Sequence, residues 1–412
     1  MADNVTDFMI KFASEHESFW VAEIEALAII ENIDLQVLHY SKGSPFVLVR
    51  LPSAEAAARL LRRSVLAHSI YEHWGTGTTL EQLHESVRAR TAHLWPRHKH
   101  SSFKFIVDCY QGARPHAERI AIIESFSFLG FDGPIRMADP DETFVVLEQW
   151  PFNSVPKGLR RPEVLYLGRR VALSGRDVIT RFDLKKRSYI STTSMDAELS
   201  LVTANIALAA PGKLFYDPFV GTGSFPIACA HFGAFGWGSD IDGRSIRGEA
   251  GARSLAGNFE QYGIRERLGG TFAADLTNSP VRKHRRTWDG IVCDPPYGVR
   301  EGLKVLGLKD PKATPWLVER GVKDAMSSDY IPPKKPYSFL AMLHDILTFA
   351  TDTLVDNGRL AFWMPSANDE EQEIPIPEHP SLELVAVCIQ DFSKYELNPF
   401  RRGYFKKFEL DE

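Results

Sequence analysis

The stretch Leu214-Phe215-Tyr216-Asp217-Pro218-Phe219-Val220-Gly221-Thr222-Gly223-Ser224 reads as a short apolar strand, an acid, a glycine turn and the start of a helix. Two glycines one residue apart let the backbone turn tightly and approach a ligand closely. In a dinucleotide fingerprint a third glycine would stand at position 226, which is Pro226. Proline is tolerated in the first turn of a helix but gives a pyrophosphate no close approach. No Gly-Lys-Ser/Thr follows, and Asp217 would repel a phosphate. The loop therefore suits a ligand that is cationic or neutral at this point.

Outward from this loop, short apolar strands alternate with longer helical patterns. They run 214–216, 224–231, 234–239, 246–262, 270–274, 290–293, 338–355, 359–363 and 382–390. A Pro/Lys-containing insertion occupies 301–336, and 404–408 alternates loosely and is expected as an edge strand. This order predicts an α/β, doubly wound sheet, which places ligands beyond the carboxyl ends of its strands. The second strand ends at Ser239-Asp240-Ile241-Asp242, with Asp240 19 residues after Gly221. At that spacing an acid reaches ribose hydroxyls, and Ile241 can lie on an adenine. Asp275 closes the third strand and can accept from the adenine amine. Turns and helix caps would explain each feature singly. Three strand-end acids in consecutive units favour one crevice for S-adenosylmethionine, whose sulfonium and ammonium groups answer Asp217.

The fourth strand ends in Ile291-Val292-Cys293-Asp294-Pro295-Pro296-Tyr297-Gly298. Two prolines remove two backbone donors, so the chain must leave the sheet there. The bend fits the exocyclic amine of a base. Asp294 accepts one N–H, the Pro295 carbonyl accepts another, and Tyr297 lies over the ring. Such an amine shares its lone pair with the ring, and two acceptors favour the pyramidal form that can attack a methyl group. A base in a stack would have to be turned out to reach it. The alternative is a plain strand end in which Asp294 caps a helix. The bend alone does not separate adenine from guanine, or DNA from RNA.

The 412 residues suggest two or three domains, and a 44% hydrophobic content is globular. No run approaches the ~20 apolar residues that span a bilayer, and no secretory signal opens the chain. Cys109, Cys229, Cys293 and Cys388 are far apart, which points to a reducing compartment, the cytoplasm, and away from a cysteine-built metal site. His93, His98 and His100 form a solvated loop rather than a metal site, so no metal is expected.

Residues 1–100 read as a small α+β unit, and 101–156 repeat its pattern on a smaller scale. The net charge of −5 hides a basic segment. Residues 157–187 hold 10 Lys/Arg against 3 Asp/Glu, while the flanking regions are acidic. That segment is a linker or a phosphate-binding strip beside a cleft.

Four quoted segments carry a resemblance. They are Ser191-Thr192-Thr193-Ser194-Met195-Asp196-Ala197-Glu198, the Asp217–Gly223 loop, Gly238-Ser239-Asp240-Ile241-Asp242, and Asp294-Pro295-Pro296-Tyr297-Gly298-Val299-Arg300. Together they resemble the eukaryotic tRNA guanosine N2-methyltransferases that act at position 10, members of the THUMP-containing class I methyltransferases. Upstream, His16-Glu17-Ser18-Phe19-Trp20 is similar to that family's N-terminal ferredoxin-like unit, and 103–150 occupies the place of its THUMP RNA-binding domain. The resemblance implies a Rossmann-like methyltransferase domain over 188–412, preceded by ferredoxin-like and THUMP domains and the basic linker.

It further implies that Asp294, Pro295, Pro296 and Tyr297 face the guanine. Asp217, Phe219, Gly221, Thr222 and Gly223 would surround the methionine part of the cofactor, with Thr193, Ser194 and Met195 entering beside it. Asp240 would take the ribose, and Ile241 and Asp275 the adenine. Arg181, Lys185, Lys186, Arg187 and Arg300 would meet tRNA, with Arg282-Lys283-His284-Arg285-Arg286 a second basic patch. A small zinc-binding activator subunit would complete a heterodimer. An adenine-N6 methylase of DNA or RNA, and a degenerate fold serving as an RNA-binding scaffold, stay as alternatives.

Overall fold

The computed structural model describes residues 6–249, 253–297, 303–307, 334–365, 374–390 and 401–408, the last as backbone only. Two compact units result: residues 6–20 with 31–176, and residues 21–30 with 177–408.

In the first unit the strands are β1 (Thr6–Phe12), β2 (Gln36–His39), β3 (Phe46–Leu51), β4 (Ala67–Gly77), β5 (Phe103–Tyr110), β6 (Glu142–Gln149) and β7 (Val164–Leu173). They form one sheet in the order β2-β3-β1-β4-β7-β6-β5. The sequence suggests two domains, 1–100 and 101–156, that form one N-terminal module. The antiparallel pair β4–β7 joins them edge to edge, from Ser69↔Leu173 to Gly77↔Leu165. So the middle of the basic segment 157–187 is no linker but an interior strand. Leu165 and Leu167 of this strand are buried, while Arg169 and Arg170 are half-buried and, being neighbours, turn to opposite faces of the sheet. Arg169, for example, bonds Glu72 at 2.8 Å and Glu142 at 3.1 Å. β4 escaped the sequence reading because histidines and a serine break its apolar run, yet most of it is buried.

The second unit carries β8 (Leu214–Asp217), β9 (Phe235–Asp240), β10 (Leu268–Ala273), β11 (Trp288–Cys293), β14 (Leu354–Pro365), β15 (Leu382–Gln390) and β16 (Arg401–Phe408). A two-stranded ribbon, β12 (Lys304–Leu306) with β13 (Lys334–Pro336), stands between β11 and β14 in the chain. The main sheet has the order β10-β9-β8-β11-β14-β16-β15. The pairs β10–β9, β9–β8, β8–β11 and β11–β14 are parallel, as the alternation of strands and helices predicts. β16 is antiparallel to both β14 and β15 and lies between them, not at an edge. Alternation reports that a segment is a strand, but not which ladder it enters.

One core cluster of this unit packs Tyr216, Trp288, Ile291 and Phe362 against Met342, Leu343, Ile346 and Leu347 of the helix Phe339–Thr353. Tyr216 and Trp288 stack with ring centroids 4.9 Å apart. Burying four such aliphatic and thioether side chains contributes on the order of 6–12 kcal/mol before entropy is counted. On another face the helix Ala197–Ile206 is buried along its whole length, and Asn205 donates to the buried Glu23 at 2.8 Å. The helix expected over 246–262 is two, Gly243–Arg247 and Leu255–Gln261. Gly248 sits at φ 61°, where a Cβ would meet the Arg253 carbonyl oxygen at 2.0 Å, so the chain turns there. Ser254 then caps the second helix by accepting from the Gly257 N–H at 3.0 Å.

Candidate active site

The carboxyl ends of β8, β9 and β11 each present an aspartate. Asp217 ends β8 and is 2% exposed. Its Oδ1 accepts from the Phe219 N–H at 2.9 Å, which starts the turn. Burial pushes its carboxyl well above the usual carboxylate range, and the Asp240 and Asp294 carboxylates add to the effect. Asp240 ends β9. Its Oδ2 accepts from the Gly221 N–H at 3.0 Å and its Oδ1 from the Asp242 N–H at 2.8 Å. Burial raises its carboxyl too, against those two backbone donors. Asp240 thus ties the glycine turn to the next strand, and with the Ser245 hydroxyl as a third donor it keeps at least one lone pair for a ligand.

Gly221 and Gly223 lie at φ 49° and 92°, in the left-handed region that favours glycine. A Cβ on Gly223 would stand 3.1 Å from Leu255, whereas one on Gly221 would meet nothing closer than the Phe219 carbonyl at 3.9 Å. The loop is packed from below and open above. Phe219 turns its ring onto the sheet core, so only its backbone faces the turn. Thr222 is buried, and its hydroxyl lies 2.9 Å from the Ser194 hydroxyl. That contact brings the segment 191–195 against the loop, with Met195 buried and Thr193 exposed. Ile241 is half-buried just past Asp240. Asp275 is buried with both oxygens engaged, Oδ1 by the Thr277 N–H at 3.0 Å and Oδ2 by the Leu306 N–H at 2.7 Å. It holds the β12 ribbon to the end of β10.

β11 pairs with β8 through Gly290↔Phe215 and Ile291↔Tyr216, so Asp294 leaves the sheet beside the Asp217 loop. The β11–β14 ladder stops at Cys293↔Phe362, one residue before Asp294. Pro295 is buried, Pro296 exposed, and Tyr297 half-buried with its hydroxyl donating to the Asp294 carboxylate. The Cys293 thiol behind them is fully buried and pushed far up, chiefly by burial, so it is no nucleophile. The residues fit a cationic cofactor: three carboxylates converge, and the contacts recorded for Asp217 and Asp240 come from backbone N–H groups and a serine hydroxyl.

Two family models match the chain, a Tmrp11 THUMP N-terminal domain over residues 6–176 and an RMKL-like methyltransferase domain over 185–306. The chain is 43% identical over 394 residues to the tRNA (guanine(10)-N(2))-methyltransferase of Saccharomyces cerevisiae, covering 94% of this chain and 90% of the relative. It belongs to the tRNA (guanine(10)-N(2))-methyltransferase family. The family member of Schizosaccharomyces pombe is 39% identical, covering 94% and 87%, and that of Homo sapiens 33%, covering 94% and 86%. The second unit is therefore the family's Rossmann-like methyltransferase domain, and the first its ferredoxin-like and THUMP region.

Within this family frame one expected tRNA contact is corrected. Arg187 is 6% exposed; its Nη1 donates to the Ser224 hydroxyl at 3.0 Å and its Nε to the Tyr262 hydroxyl at 3.4 Å. Arg181 is exposed, and its Nη2 donates to the Tyr262 carbonyl at 2.6 Å at the end of the helix Leu255–Gln261. Basic residues were counted as solvated because charge alone does not show what a side chain reaches. Lys185 and Lys186 are exposed, the latter donating to the Thr180 carbonyl at 2.7 Å. Arg300 lies outside the described residues. The sequence reading missed Asn258, Gln261 and Tyr262, which bind Lys186, Arg187, Ser188 and Tyr189 from behind. The only signal for them was polar residues on the inner face of a short helix.

Proposed function

We propose that this chain transfers a methyl group from S-adenosylmethionine to the exocyclic N2 of guanosine 10 in tRNA. The observation that carries the reading is the junction of Asp294 and Pro295, just past the last β11 pair, with the Asp217 loop on the neighbouring strand. When bound, S-adenosylmethionine supplies an electrophilic methyl carbon on a sulfonium. Asp217 and the Gly221–Gly223 turn would hold its methionine part, Asp240 its ribose, and Ile241 its adenine. Asp275, buried at the end of β10, carries one backbone donor on each oxygen and would accept from the adenine amine with a remaining lone pair.

Asp294 accepts an N–H of the target amine, and its carboxylate is placed to take the proton that the amine gives up. The Pro295 carbonyl, beyond the ladder, accepts the second N–H. Tyr297 gives its hydroxyl to Asp294 until the amine replaces it. The THUMP region would dock the tRNA, with Lys185 and Lys186 on the path to the crevice. A zinc-binding activator subunit would add a strand to one of the two edges of the described sheet, β10 or β15. Four free thiols fit a cytoplasmic site of action. Among the described residues no helix is long and apolar enough to cross a membrane.

Labelled S-adenosylmethionine offered with separate tRNA and DNA pools tests the reading. Label confined to tRNA and recovered as N2-methylguanosine supports it; label in DNA, or in N6-methyladenosine, overturns it. The chain should be expressed with and without the activator, since a fully soluble and active lone chain would refute the heterodimer.

A further inference from the structure

Asn258 lies in the middle of the helix Leu255–Gln261 and is wholly buried. A buried primary amide offers two donors and one acceptor, and leaving any unmet is costly. Here all its recorded bonds go to backbone. Its Oδ1 accepts from the Tyr189 N–H at 3.1 Å, and its Nδ2 donates to the Tyr189 carbonyl at 2.7 Å and the Thr222 carbonyl at 3.1 Å. One side chain thus pairs with Tyr189 as a strand neighbour would, and with the next proton it holds the peptide between the two glycines of the turn.

The two backbone strips so joined are the two that bound the crevice on this side. Next to them the Ser194 and Thr222 hydroxyls meet at 2.9 Å. Gln261, one turn further along the helix, repeats the device away from the crevice. It accepts from the Ser188 N–H at 2.8 Å and donates to the Lys186 carbonyl at 2.6 Å. Tyr189 reaches the other way, donating its hydroxyl to the Ser245 carbonyl at 2.9 Å, in the helix that follows β9.

We infer that Asn258 is a positioning residue for the cofactor: it fixes the register of segment 188–194 against the glycine turn, and so sets where Thr222 and Ser194 stand in the pocket. The inference rests on the reading of this crevice as the S-adenosylmethionine site. Asparagine suits the task because it must both give and accept within one amide plane. Aspartate, of the same shape, still accepts from Tyr189 but sets a carboxylate oxygen against the Tyr189 and Thr222 carbonyls. Nothing about Asn258 requires contact with the cofactor or with RNA.

The test measures binding of S-adenosylhomocysteine and of unmodified tRNA, separately, to the full chain and to its Asn258→Asp and Asn258→Ala variants. Binding of S-adenosylhomocysteine by the unaltered chain checks the crevice reading by itself. The inference expects both variants to weaken S-adenosylhomocysteine at least 10-fold, with tRNA affinity in the absence of cofactor within 2-fold. The KM for S-adenosylmethionine should rise more than kcat falls. Folded variants with unchanged S-adenosylhomocysteine affinity overturn it, as does an equal loss of both affinities, the mark of a merely structural role. Amide exchange on the unaltered chain decides the matter if the variants do not fold. The Tyr189 N–H must be protected and must slow further when S-adenosylhomocysteine binds; a Tyr189 N–H whose exchange ignores the ligand contradicts the inference.

Discussion

The Arg187 guanidinium reaches the Ser224 hydroxyl at 3.0 Å, behind the glycine turn and away from solvent. A residue that sequence placed on an RNA-facing strip is a brace for the first turn of the helix Ser224–His231.

Arg187→Ala should therefore act on stability first. It leaves the Ser224 and Tyr262 hydroxyls without their donor and opens a gap beneath the loop, a loss of about 2–4 kcal/mol. Lysine lacks the planar fork and should recover less than half of it. Thermal melting compared with tRNA affinity at several salt concentrations checks this. A variant with normal melting and a lower salt slope would return Arg187 to the tRNA surface.

Lys185→Ala with Lys186→Ala gives the contrasting case. Both side chains are exposed, and the ends they leave behind are readily hydrated. Melting should change little, while tRNA affinity falls and its salt slope drops by about one to two charges. An unchanged slope removes both lysines from the tRNA path.

Asp217 is expected to make cofactor affinity depend on pH. Its folded carboxyl is raised above the ordinary 3.8, so below the raised value the empty pocket holds a proton that a cationic ligand must expel. Affinity for S-adenosylmethionine should climb with pH from about that value up to the raised one. The stability of the empty protein has the opposite sense, being favoured below the ordinary value and lost as pH rises through the raised one. Asp217→Asn should flatten the affinity profile, bind at least 10-fold more weakly at neutral pH, and melt no lower than the unaltered chain. An Asp217→Asn variant that kept the original pH profile would free Asp217 from this role.

In the first unit, His73 is 8% exposed; burial, with Arg90 adding to it, pushes the ring down to about 4. Its Nε2 lies 2.7 Å from the Thr76 hydroxyl. A histidine neutral in the fold and charged when unfolded stabilises fully above its ordinary 6.5 and loses that contribution as pH falls toward 4. The loss amounts to about 3 kcal/mol. Denaturant melts of residues 6–176 within the full chain, at pH 7 and pH 4.5, should diverge; His73→Gln should narrow the gap. An equal gap in both proteins would exclude His73 as its source.

Much of this architecture was legible because α/β order writes itself into the chain. The turn after β8 and the acids at 217, 240 and 294 were read correctly as strand-end features, since the connection rule leaves them no other place. What escaped depends on distance in space. β16 could not be ordered before the pairing was known, and β4 and β7 could not be joined. The break at Gly248 needed a dihedral angle, not a pattern. Asn258 escaped for the same reason: a polar residue in a helix reads as solvated until its partners are seen to be backbone.

The most direct test of the central claim is the methylation of unmodified tRNA by the Asp294→Ala variant, beside its affinity for S-adenosylhomocysteine. The account requires N2-methylguanosine at position 10 with the unaltered chain. The variant should lose at least 1000-fold in rate while its affinity for S-adenosylhomocysteine stays within a few-fold. A variant that still methylates guanosine 10 at near the original rate would show that Asp294 does not hold the amine.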